Sequence, residues 1–242
     1  STSAASSRKP ARSDCGVFSS IITTIGRLPS VGFRLLVSHI IASVVLAARH
    51  FVRHAGPPDV VVANAGISAG TLTGEARDAP VFRRIVETNL IAMPETFAPF
   101  LAAMRERGSG TLVGIASVAG VRGMPGAGAY SASKAAAIAY LESLRLELRG
   151  SGVSVVTIAP GFVRTPMTAR NRYPMPFLVD ADVFARRAVD AIAARRSFAV
   201  IPWQMRIVAA LVGALPNPVF DRLFAKAPRK ARLEGVRTES ER

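Results

Sequence analysis

A single cysteine, Cys15, and three scattered histidines leave this chain without the means for an intrachain disulfide or a Cys/His metal centre. No metal site is expected. A lone thiol fits a reducing compartment, and the expectation is a cytoplasmic protein. Acids are scarce as well: 16 stand against 31 lysines and arginines, for a net charge of +15. Aromatic residues make up 7%, and no basic array is interleaved with them in the way that stacks single-stranded bases. Basic residues concentrate only at 8–12 (RKPAR) and 226–232 (KAPRKAR). The charge therefore reads as a solvated face, and nucleic acid is not an expected partner. Long apolar runs are also missing. The best, LLVSHIIASVVLAA at 35–48, is interrupted by His39 and falls short of the roughly 20 residues a membrane span needs.

What is present is the composition of a well-covered core: half of 242 residues are hydrophobic and 19% charged. Residues 1–12, rich in Ser, Ala and Arg, read as a disordered tail. Residues 13–242 read as a single domain. Its first part, 13–55, has only Asp14 as an acid, and its scattered Ser and Arg are similar to those of a transit peptide, without a secretory cleavage pattern. From Asp59 onward, short apolar runs alternate with helical periodicity. Strands are predicted at 59–64, 111–117, 153–160 and 198–203, and helices at 80–105, 130–149 and 181–195. Apolar helices broken at Pro216 and Pro218 follow. Alternation of this kind predicts an α/β fold, a Rossmann-like doubly wound parallel sheet with right-handed crossovers. Ligands of such sheets lie beyond the C-terminal strand ends, where Asn64, Ser117 and Pro160 fall.

Chemistry concentrates in "AGAYSASKAAAIAYLESLRLEL" (127–148). Ala137, Leu141, Leu144 and Leu148 recur at helical spacing, and at about 100° per residue Tyr130 lies inside that stripe and Lys134 at its edge. Both therefore face inward, and an inward lysine requires a partner or a task. An ammonium one turn from a phenol favours the phenolate and lowers the phenol's pKa. Ser117 can bring a hydroxyl to the same point. On the 80–105 helix, Phe82, Ile85, Met93, Phe97, Phe100 and Met104 form one stripe with Asn89 at its centre. Pro94 cannot donate to the Leu90 carbonyl, so a kink is expected just past Asn89. The amide either bonds to that loosened backbone or serves a site.

Taken together, "NAG" (64–66), Asn89, Ser117, "YSASK" (130–134) and "PGFVRTPM" (160–167) resemble the short-chain dehydrogenase/reductase (SDR) family in order and spacing over about residues 57–205. The resemblance implies an NADP(H)- or NAD(H)-dependent oxidoreductase that interconverts a ketone or aldehyde and an alcohol. It implies Tyr130 as acid/base, Lys134 on the nicotinamide ribose, Ser117 on the substrate carbonyl and Asn89 in a proton relay. Asn64, Ala65 and Gly66 would border the cofactor's adenosine side, and Pro160, Gly161, Val163 and Thr165 its nicotinamide end. Residues 161–178 take the family's substrate-loop position, where Phe162, Met167, Met175, Pro176 and Phe177 offer an apolar lining for a hydrophobic carbonyl or alcohol. The family also implies a homodimer or homotetramer through the two long helices.

One family feature is missing from the sequence. No Thr-Gly-x-x-x-Gly-x-Gly loop precedes "NAG"; Gly16, Gly26 and Gly32 are too far apart. The N-terminal βαβ portion is thus expected to be atypical or truncated. It should pack apolar surface on the 59–64 strand without a standard dinucleotide loop, so cofactor affinity should be weak or absent. Strand candidates there are 16–25 and 32–47. "SVVLAAR" (43–49) is either a strand with Arg49 set for a 2′-phosphate or, the preferred reading, part of a helix running into "HFVRHAG". The alternative function is a catalytically impaired SDR-like scaffold acting through protein or membrane-surface contacts. A membrane surface is the weaker of these, offered only by the apolar C-terminal segment with its basic tail.

Overall fold

The structure, a computed structural model, describes residues 35–37, 48, 50–169, 171, 173–230 and 232. Among these, five parallel strands form one sheet: β1 (Leu35–Val37), β2 (Val60–Ala63), β3 (Gly110–Ile115), β4 (Val153–Pro160) and β5 (Phe198–Ile201). They pair in chain order, with no reversal among the described strands.

Register explains the two cores. Val61 pairs with Leu112, which pairs with Val155, and these three share one face with Met93, Phe97, Phe100, Leu141 and Leu144. One residue along, Val62, Val113 and Val156 are also in line, and they face Phe184, Ala185, Ala188 and Ile192. Successive strand residues point to opposite faces, so a sheet buried on both sides reads as continuous valine, leucine and isoleucine. Helices cover both faces, as the sequence predicts for a Rossmann-like sheet.

The crossovers do not all share one hand. α2 (Ala92–Arg107) and α3 (Gly128–Glu147) lie on one face, while α5 (Ala181–Ala193) lies on the other. The strand order nevertheless keeps advancing in one direction, so the β4–α5–β5 connection has the opposite hand to the β3–α3–β4 connection. Uniform right-handed crossovers were the sequence expectation, and this pair departs from it.

The predicted 80–105 helix is three pieces: α1 (Ala79–Val86), a π turn (Glu87–Ile91) and α2. Pro94 leaves the Leu90 carbonyl without its usual donor, and the Ala92 N–H instead reaches the Glu87 carbonyl five residues back. The extra residue rotates α1 against α2. Phe82 therefore leaves the stripe and is 42% exposed, while Val81 and Ile85 turn to Ala129 and Ile67.

In the N-terminal part, β1 falls within the 32–47 strand candidate and pairs with Val60–Val62. Residues 50–55 are helical, as is Ala48, which agrees with the helical reading of that stretch. Arg49, the 16–25 candidate and the glycines at 16, 26 and 32 lie outside the described residues. So do the expected tail at 1–12 and most of the stretch in which a dinucleotide loop would fall.

At the other end, α6 (Gln204–Ala214) and α7 (Asn217–Phe224) follow β5. The break comes at Leu215–Pro216, while Pro218 sits in the first turn of α7, where its missing N–H costs nothing. Among the described residues no single helix is long and apolar enough to cross a membrane, and α6 with α7 passes that test only as a pair bent by 118°.

Candidate active site

Ser117, Tyr130 and Lys134 come together at the C-terminal end of β3. Ser117 caps the short 3-10 turn Val118–Gly120: its Oγ accepts the Ala119 N–H at 3.1 Å and donates to the Pro160 carbonyl at 3.5 Å. That bond ties the ends of β3 and β4 together. The turn then presses on α3. A Cβ on Gly120 would lie 2.8 Å from the Lys134 carbonyl carbon and 2.9 Å from the Ala135 nitrogen, so only glycine lets the turn come this close.

Lys134 is 3% exposed. Its Nζ donates to the Ile115 carbonyl at 2.8 Å and stands 5.9 Å from the Tyr130 ring centroid. Among the described residues it has no carboxylate partner, and burial pulls its pKa down to about 8. Tyr130 is half-buried. Burial pushes its phenol above the ordinary value, the neighbouring Ser117 hydroxyl opposes that shift, and Tyr173 adds to it. Burial dominates, and the Lys134 ammonium, engaged with the Ile115 carbonyl, adds no lowering of its own.

Asn89, 1% exposed, does not bond to the loosened π turn. Its Oδ1 accepts the Ile67 N–H at 2.8 Å, and its Nδ2 donates to the Ile67 carbonyl and to Ser133 Oγ, both at 3.0 Å. The amide thus holds the segment after β2 against α3. Ser133 completes the clamp by donating to the Tyr130 carbonyl at 2.8 Å. Between these groups lies Gly66, where a Cβ would sit 3.5 Å from both Asn89 Oδ1 and Lys134 Nζ.

Asn64, Ala65 and Gly66 follow β2 directly and are half-buried, as are Pro160, Gly161, Phe162, Thr165 and Met167; Val163 is buried. The 161–178 loop closes at its base through a Val163–Val179 bridge and contains α4 (Pro166–Ala169). Thr165 and Thr168 exchange hydrogen bonds across that helix start. Tyr173 packs edge-on to Phe162 at 6.3 Å between centroids. Phe177 is 49% exposed and Pro176 is also exposed, so these two turn outward rather than lining the site.

Several participants were not singled out from the sequence: Ser133, Tyr173, Lys230 and the Asp78–Arg232 pair. Ser133 lies in the quoted YSASK. Tyr173 packs within its own loop on Phe162, whereas Lys230 and Arg232 act through long-range contacts with Tyr130 and Asp78.

The fold and this site define an α/β protein that gathers a serine, a tyrosine and a buried lysine at the strand ends. Residues 31–175 match the short chain dehydrogenase family, and the chain belongs to that family. It is 42% identical over 167 residues to an uncharacterized oxidoreductase of Myxococcus xanthus, covering 69% of this chain and 66% of the relative. A putative ketoacyl reductase of Streptomyces coelicolor is 40% identical over 146 residues, 60% of this chain and 55% of the relative. The chain therefore spans less than two thirds of these relatives' length. Among solved structures, one titled ribose-5-phosphate isomerase from Brucella melitensis 16M is similar, with TM-score 0.59 and 29% identity over 67% of this chain and 69% of the other. The differing names agree with the general rule that a shared fold does not set the reaction.

Proposed function

We propose that the chain is an NAD(P)(H)-dependent oxidoreductase that reduces a ketone to a secondary alcohol, with a 3-oxoacyl compound as the leading substrate class. The observation that carries this reading is Lys134. It is a buried cation with no carboxylate among the described residues, set beside a tyrosine and a serine at a sheet's ligand-binding end. The Streptomyces relative's name, ketoacyl reductase, supports the substrate class.

Family members use a nicotinamide cofactor, and the residues here fit its nicotinamide-ribose end: a buried ammonium, the side-chain-free Gly66 beside Asn89 and Lys134, and the half-buried Pro160–Gly161 turn. Lys134, Asn64, Gly66, Pro160, Gly161 and Thr165 would hold it, and when bound it supplies the hydride. Ser117 Oγ orients the carbonyl. Tyr130 delivers the proton to the carbonyl oxygen as negative charge develops there. A phenol held above its ordinary pKa is protonated at neutral pH, which is the form that reduction requires. Asn89 keeps the Ile67 segment and α3 in register, so that Gly66 and Lys134 stay opposed. The 161–178 loop, with Phe162 and Met167, covers the substrate. The chain acts as a homo-oligomer through α2 and α3.

The test is cofactor oxidation with a panel of 3-oxoacyl esters, simple ketones and aldehydes, using NADPH and NADH in parallel. Turnover of a 3-oxoacyl ester is expected; no oxidation with any pair contradicts the reading. The scaffold reading is favoured by the exposed apolar side chains of Trp203, Ile207 and Leu211, spaced at four residues along the start of α6. A thermal shift with each cofactor separates the two, since saturation at 100 times Kd stabilises by about 2.7 kcal/mol. A clear rise removes the scaffold.

A further inference from the structure

The segment after α7 carries one of the chain's two basic concentrations, and it lies across the active-site rim. Two loops form that rim: Thr71, behind β2, donates its N–H to the Gly126 carbonyl, ahead of α3, at 2.9 Å. Arg229 packs over Gly126, within 3.2 Å of where a Cβ would be. Arg232 is clamped on the opposite side, with Nη2 2.9 Å from Asp78 and 3.4 Å from Glu75. Asp78 is itself 6% exposed and accepts the Leu72 N–H at 2.9 Å, so the anchor is set in the body of the protein.

Between those two anchors Lys230 places Nζ 5.3 Å from the centroid of the Tyr130 ring. The side chain is half-buried, and among the described residues it has neither a carboxylate nor a hydrogen-bond acceptor. The tyrosine face offers it a cation–π contact, which does not replace the water and counterion that burial removes. Burial accordingly draws its pKa down to about 8. The position asks for an anion supplied from outside.

We propose that Lys230 recognises a carboxylate carried by the substrate close to the carbonyl on which Tyr130 acts. This rests on the oxidoreductase reading of the same site. A single ammonium pairs as a point charge with one carboxylate, and Arg232 is already engaged with Asp78 and Glu75. Phe162 and Tyr173 supply apolar surface for the rest of such a molecule. The net charge of +15 also gains a use, since a positive field draws an anionic substrate toward the site.

The probes are 3-oxooctanoate and its methyl ester, which differ in the charge and in one methyl group. Calorimetric titration of the full chain should show the acid binding about tenfold more weakly to Lys230→Met than to the parent, the ester binding both alike, and Lys230→Arg recovering most of the loss. In turnover, Lys230→Met should raise KM for the acid about tenfold and leave kcat within about twofold, a loss near 1.4 kcal/mol. If Lys230→Met affects acid and ester equally, or neither, the inference is overturned. Faster turnover of both would also overturn it, by making the tail a lid. If the parent binds the acid through Lys230 yet reduces neither probe, the recognition stands and the oxidoreductase reading falls.

Discussion

Replacing Lys134 by methionine should make the protein more stable at neutral pH while removing its activity. Lys134 is 3% exposed, and burial brings its ammonium from the ordinary 10.5 to about 8. At about 1.4 kcal/mol per pH unit, this disfavours the charged form by about 3 kcal/mol. Against it stands one hydrogen bond, to the Ile115 carbonyl at 2.8 Å, worth about 1–3 kcal/mol with a charged donor. Methionine has similar length and no charge to bury. Below pH 8 both states of the parent carry the proton, and the penalty acts in full. Between about 8 and 10.5 the unfolded chain binds the proton and the folded one does not, so the parent gains stability as pH rises. Urea unfolding of parent and Lys134→Met at pH 7, 8, 9 and 10 reads the difference directly. The variant's advantage should be largest at pH 7, at most about 2 kcal/mol, and should fall across the window toward a deficit. A difference that does not change with pH, or that grows as pH rises, would refute the reasoning.

Asn89→Ala removes three hydrogen bonds and leaves the Ile67 N–H and carbonyl unpaired; a loss of about 2–4 kcal/mol and a falling melting temperature are expected in a calorimetric scan. Gly120→Ala puts a Cβ against the Lys134 backbone, which cannot yield as a side-chain tip would, so a loss of about 1–3 kcal/mol and a lower kcat should appear together. Gly66→Ala meets nothing closer than 3.5 Å. It should keep the melting temperature within about 2 °C while turnover falls, because its methyl fills the gap between Asn89 Oδ1 and Lys134 Nζ; unchanged turnover would free Gly66 from the site.

The sheet was legible from Val60 onward because strands buried on both faces are written as unbroken apolar runs, as in VVVA and VSVVTIAP. The direction of Lys134 was legible for a similar reason, since Ala137, Leu141 and Leu144 mark the buried side of its helix. Phe82 was misplaced because a single helical period cannot represent the π turn that Pro94 favours. Asn89 was read as central, but its partners were not. Ile67 and Ser133 lie 22 and 44 residues away, and side-chain pairing over such distances leaves no periodic trace. The Asp78–Arg232 contact spans 154 residues, so the basic tail read as solvated charge. Sequence shows the lysine near Tyr130 but not the burial that raises its phenol in this structure.

The central claim is that Tyr130 passes the proton. Its most direct test is kcat for reduction of a 3-oxoacyl ester by the parent and by Tyr130→Phe, both at saturating cofactor. Phenylalanine fills the same space beside Ser117 and Lys134 but has no proton to give. The account predicts a fall of about 10²–10⁴-fold with cofactor affinity unchanged; equal kcat in the two proteins would contradict it.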